Sequence, residues 1–157
     1  MSPDERLVRR LAREIEGELS DLGRLSTELE TTPKTNDSAA LRARGSILHD
    51  FYTGTERIFI RISEELDGGT PKGESRHMRL LRNMALDLPD LRPAILSNDL
   101  MDSLTEYLRF RHVFRNNYGF VLEADRIQPL EQKMHSVLDE LGRELRAFLS
   151  WLRGAEI

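Results

Sequence analysis

Apolar residues recur at helical spacing along almost the whole chain, and no stretch shows the two-residue alternation of a half-buried strand. Val8, Leu11, Ile15, Leu22, Leu25 and Leu29, with Leu19 beside them, follow at spacings of three, four and seven, which predicts one long amphipathic helix. Ser2 is a fair N-cap for it and Pro3 suits the first helical position. "TTPKTNDS" interrupts the pattern. A second helix is predicted from about Ser38 to Leu66, burying Ile47, Leu48, Phe51, Ile58, Phe59 and Ile62. "DGGTPKG" then packs turn-forming residues into one short loop.

A shorter third helix carries His77, Leu80, Leu81, Met84 and Leu88 on one side. "LPDLRP" closes it, because proline disfavours helix at the residue before it. Ser97 or Asn98 caps a fourth helix, which should stop at Gly119, a residue suited to a left-handed terminator. The last helix begins between Asp125 and Pro129. Its apolar face is Ile127, Leu130, Met134, Val137, Leu141, Leu145, Phe148 and Leu152. The expectation is an all-α, antiparallel helical bundle of four long helices and a short one, in a single domain spanning residues 1–157.

The composition narrows the function. At 39% hydrophobic and 32% charged residues the chain reads as soluble and globular. No apolar run approaches the roughly 20 residues that span a bilayer, and "MSPDERLVRR" lacks the apolar centre of a secretory signal. The expectation is a cytoplasmic protein that does not engage a membrane. With no cysteine, disulfides, thiol catalysis and thiolate metal sites are excluded. A net charge of −4 argues against a broad basic coat for nucleic acid but permits a local basic site. No two histidines stand four apart around a glutamate, and "GTPKGES" lacks both the lysine–Ser/Thr pair and the preceding strand of a phosphate loop. No cofactor or metal is expected.

The fourth helix breaks its own pattern at "RFRHVFRNNYGF", residues 109–120. Leu100, Leu104, Tyr107, Leu108, Arg111, Arg115 and Tyr118 fall within one arc of about 100°. The first four make a core stripe, and then the same face turns cationic. His112 and Asn116 form a second column beside it. A buried arginine must meet a carboxylate, an anion or solvent in a cleft. Pairing with Glu56 would make Arg111 a structural residue. Arg111 and Arg115 with His112 and Tyr118 would equally make a phosphate-binding cleft. Tyr52 and Glu56, four apart on the second helix, are placed to support Arg111. His77 lies on an apolar face, and His49 and His135 have no supporting neighbours in the sequence.

"FRHVFRNNYGFVL" resembles the signature of HEPN-domain proteins of the HepT type, the toxin halves of HepT/MNT toxin–antitoxin pairs. "LHDFYTGTERIFIRISEELDG" and "HMRLLRNMALDLPDLRPAILS" extend the resemblance over roughly residues 40–150. It implies a HEPN-like helical bundle, usually dimeric, whose active members are metal-independent endoribonucleases. The HepT form of the motif is Arg-x4-His-x-Tyr. Laid on this chain, Arg111 is the arginine, His112 the polar residue after it, Asn116 stands at the histidine position, and Tyr118 is the tyrosine. The resemblance further implies RNA as substrate and a type VII-like pairing with an MNT nucleotidyltransferase antitoxin, which would transfer AMP to Tyr118.

Asparagine carries no proton that titrates near neutral pH, so Asn116 is no general base, though it can hydrogen-bond a phosphate or a 2′-hydroxyl. His112, one turn away, is then the expected proton-transfer group. Arg111 would stabilise the phosphorane, Arg109 and Arg115 would bind substrate phosphate, and Glu56, Tyr52 and His77 would support them. Two alternatives follow from the absent histidine and from the Glu56 pairing. One is a catalytically inactive module that docks and regulates a nucleotidyltransferase; the other is a plain bundle with a buried ion pair.

Overall fold

The computed structural model describes residues 3–116 and 123–154. Five helices run in the order α1 (Pro3–Thr31), α2 (Ser38–Leu66), α3 (Arg76–Met84), α4 (Asn98–Asn116) and α5 (Ala124–Gly154). The described residues contain no strand beyond an isolated bridge between Leu88 and Arg92. This is the all-α, HEPN-like bundle that the periodicity and the resemblance predict.

α1 packs antiparallel to α2, as the ladder Arg10–Glu65, Arg61–Glu14 and Arg57–Glu18 along their seam records. The Leu22 side chain packs onto the α2 backbone at Gly54, where an added Cβ would stand 2.7 Å from Leu22 Cδ2. α5 returns along α1, with Arg146 on Glu16 and His135 near Ser26. α4 runs antiparallel to α5, Ser97 meeting Glu144 at one end and Glu106 meeting Lys133 further along. The apolar faces expected on α2 and α5 are buried throughout; on α1, Leu25 is half-buried and the other six are buried. Residues of all five helices join one core cluster.

Ser97 is the cap of α4: its Oγ accepts from Leu100 N at 3.1 Å. Asp37 caps α2, its carboxylate accepting from Ala40 N. The expected stop of α4 at Gly119 lies outside the described residues. The third helix is shorter than its apolar spacing predicts, ending at Met84 rather than near Leu88. The physical reason is tertiary. The Met84 carbonyl accepts from Ile95 N (2.8 Å) and Leu96 N (3.0 Å), so the returning chain takes the acceptor that another helical turn would use. Leu88 N instead donates to Arg92 O.

Two buried arginines lock the connections. Arg92 donates from Nε and Nη2 to both oxygens of Asp67 at 2.8 Å each, and also reaches the carbonyls of Asn83, Leu86 and Pro93. One guanidinium thereby ties the end of α2 to both ends of the α3–α4 connection. Arg44 donates to the carbonyls of Pro33 and Thr35, and its Nε lies 2.9 Å from Glu131 Oε2 on α5. Gly68, Gly69 and Gly73 supply the positive φ angles (81°, 135° and 100°) that turn the chain from α2 into α3. That turn sets α3 across the α2–α4 seam, where the cationic end of α4 arrives.

Candidate functional site

The apolar stripe of α4 stays buried from Leu100 through Leu104, Tyr107 and Leu108 to Arg111, and emerges at Arg115. Among the described residues Arg111 is therefore the last of the stripe inside the protein, with only 2% of its surface exposed. Its charge is matched from α2: Nη2 donates to Glu56 Oε1 at 3.1 Å and Oε2 at 3.0 Å. Nη1 reaches Thr53 Oγ1 at 3.4 Å, and the guanidinium carbon sits 5.0 Å over the Tyr52 ring, a cation–π contact. Helical spacing explains the set, since Tyr52, Thr53 and Glu56 occupy adjacent positions on one face of α2.

α3 adds His77, whose Nδ1 lies 2.9 Å from Glu56 Oε2 and 3.2 Å from Arg111 Nη2. An ionised carboxylate only accepts, and an arginine only donates. Nδ1 therefore lies between an acceptor and a donor: as Nδ1–H it donates to Glu56, and as a bare nitrogen it accepts from Arg111, the Glu56 contact being the shorter of the two. Glu56 thus binds two cation-forming side chains from two different helices.

The hydroxyl of Tyr52 is buried and has no hydrogen-bond partner among the described residues. Burial raises its pKa well above the ordinary tyrosine range; Glu56 pushes the same way, and Arg111 opposes. Tyr107 on α4 is raised too, by burial first and by Glu106 second, and its hydroxyl donates to Leu130 O at 2.7 Å.

Over this cluster lies a groove of about 410 Å³ between α3 and α4. His77 and Arg111 form part of it, Arg109, His112 and Arg115 supply the cationic wall, and Glu74 and Ser75 close the other side. His112 and Asn116 occupy one exposed column as their spacing predicts. Asn116 Nδ2 donates to the His112 carbonyl at 2.7 Å, so the amide turns back on its own helix. Arg115 donates from Nε to His49 Nε2 at 3.0 Å, His49 Nδ1 faces Asp50 Oδ1 at 3.1 Å, and the His49 ring packs against Phe114. His49 thus has the neighbours that its sequence context withholds. His135, beside Ser26 and Asp139, belongs to the α1–α5 face.

The structure therefore assembles Arg111, Glu56, Tyr52 and His77 in direct contact, with Arg109, His112 and Arg115 along the groove and Asn116 at its helix end. Tyr118 lies outside the described residues. Thr53, His49 and Glu74 are additions that no sequence signal marks. Among the described residues no group of three or more histidine or carboxylate side chains is placed to hold a metal ion, and no helix is long and apolar enough to cross a membrane.

A family model described as HepT-like protein matches residues 43–152, which include every element of this groove. The chain belongs to the HepT-like family. No curated protein and no solved structure matches it significantly. Membership makes this a HEPN-type, toxin-like protein of a family that generally comprises ribonucleases. The HepT-like match starts one residue before Arg44, so α1 lies before it and the match begins within α2.

Proposed function

We propose that this HepT-like chain is the toxin of a toxin–antitoxin pair and cleaves RNA without a metal ion, in a groove whose floor is Arg111. The observation that carries the reading is the groove itself: Arg109, Arg111, His112 and Arg115 converge on one cavity in a protein of net charge −4. Such a concentration suits a phosphodiester. Arg111 is oriented by both oxygens of Glu56, which presets its planar fork for the charge that develops on the phosphorane. Arg109 and Arg115 bind flanking phosphates, Asn116 hydrogen-bonds ribose or phosphate, and His112 transfers a proton in place of the absent motif histidine.

The family resemblance supplies the rest: a homodimer, and an MNT nucleotidyltransferase antitoxin that attaches AMP to Tyr118. Expressed alone in a bacterial host, the chain should arrest growth, and Arg115→Ala with Arg109→Ala should relieve the arrest while leaving the protein folded. Undiminished arrest by that double variant would remove the groove from the function.

A second reading is favoured by Asn116, whose amide is spent on the His112 carbonyl. In it the chain is an inactive HEPN module that docks and regulates the nucleotidyltransferase. Tight binding of that partner by a chain that never cuts RNA is its expected signature.

A further inference from the structure

We propose that His77 is the general base of this groove, held in the productive tautomer by Glu56. The proposal rests on the reading of the groove as a ribonuclease site. Three observations carry it. His77 Nδ1 lies 2.9 Å from Glu56 Oε2, closer than the 3.2 Å to Arg111 Nη2, and in the proposed tautomer Nδ1–H donates to that carboxylate and Nε2 carries the free lone pair. The side chain is 34% exposed and lines the same groove as Arg111, so a substrate in the groove can reach it. Glu56 also holds Arg111, at 3.1 and 3.0 Å, so one carboxylate sets the distance between the base and the cation. The arrangement is a carboxylate orienting an imidazole, the device by which a buried acid fixes a catalytic histidine in unrelated hydrolases. Glu56 is the positioning residue.

The step balances within RNA itself. Nε2 takes the proton of the 2′-hydroxyl as the O2′–P bond forms; Arg111 neutralises the phosphorane; the P–O5′ bond breaks, and the departing 5′-oxygen takes a proton from the His112 imidazolium. The products are a 2′,3′-cyclic phosphate and a 5′-hydroxyl. The two histidines thus divide what a single motif histidine would do, and Asn116 is left with a binding part only. The charged and titratable groups facing His77 are Glu56 from α2, Arg109, Arg111, His112 and Arg115 from α4, and Glu74 from the loop before α3.

The test pairs a rate with a tautomer. Cleavage of total cellular RNA by the chain, in EDTA, is followed across pH for the unsubstituted protein, His77→Gln and His112→Gln. His77→Gln should lower the rate by about 10²–10⁴-fold, the range for general base catalysis, and abolish the rise of rate with pH on the acid side. His112→Gln should instead abolish the fall on the alkaline side. A folded His77→Gln variant cleaving within threefold of the unsubstituted rate, with the acid limb intact, would overturn the assignment and leave the ribonuclease reading standing. An unsubstituted chain that yields no cyclic-phosphate ends would sink both together. The second measurement needs no variant: ¹⁵N spectra of the imidazoles in the unsubstituted chain should show neutral His77 as the Nδ1–H tautomer. The Nε2–H tautomer would contradict the proposal whatever the variants do.

Discussion

Glu56 meets Arg111 across the α2–α4 seam with both carboxylate oxygens on one guanidinium nitrogen, and no more than 7% of either residue is exposed. This contact resolves the contradiction in the α4 stripe. The helix keeps its core register for one position past the apolar residues, because α2 presents a carboxylate where a leucine would otherwise be met. Arg111 also lines the groove, so stability and site geometry depend on one pair.

Breaking it should therefore be costly. Glu56→Gln leaves the Arg111 charge buried without its counter-ion, a loss of about 3–5 kcal/mol. For a chain of this length that corresponds to roughly 6–20 °C in melting temperature. Thermal denaturation by circular dichroism checks it, and an unchanged melting temperature would mean that Arg111 finds its stability elsewhere.

The α1–α2 seam gives an independent packing test. Gly54→Val places carbon where Leu22 Cδ2 already stands, 2.7 Å from an ideal Cβ. Overpacking of this kind costs about 1–3 kcal/mol. Urea denaturation should show a lower midpoint, and adding Leu22→Ala should recover part of the loss; a Gly54→Val chain as stable as the original would contradict the close approach.

Tyr52 and Tyr107 both have raised pKa values in the folded protein, chiefly through burial. Their folded pKa values lie above the unfolded value of about 10. Their contribution to stability is thus complete below that pH and is lost as pH rises toward the folded values. Alkaline titration should show tyrosinate absorbance from these two residues appearing only together with loss of helical circular dichroism. Their ionisation in a still-folded chain near the ordinary tyrosine pKa would contradict their burial.

Tyr118 is the proposed acceptor of AMP. Incubation with an MNT nucleotidyltransferase and ATP should raise the intact mass by one or more AMP units, and Tyr118→Phe should abolish the gain. A Tyr118→Phe chain that still gains the mass would move the acceptor to another residue.

Helical periodicity carries the bundle, because each long helix repeats its apolar face many times and a single exception does not hide it. Glu56 and Tyr52 share one face of α2 by the same register, while the packing of α2 on α4 decides that this face meets Arg111. What local sequence does not carry is any contact set by a distant backbone. α3 stops at Met84 because amides of Ile95 and Leu96 take its carbonyl, and nothing in "NMALDLP" signals that. His49 meets Arg115 from 66 positions away. The His77–Glu56 contact joins α3 to α2 across a glycine-rich loop that leaves α2 at Asp67, where Arg92 holds it, so a histidine on an apolar stripe reads as a core residue until the helices are placed.

The most direct measurement of the central claim is RNA cleavage by the purified chain in excess EDTA, run beside Arg111→Ala and Arg111→Lys. Lysine keeps a charge opposite Glu56 but loses the planar fork, so it separates catalysis from folding. The account predicts cleavage that survives EDTA, disappears in Arg111→Ala, and falls steeply in a folded Arg111→Lys chain. RNA cut equally by all three chains, or left intact by the unsubstituted one, would contradict it.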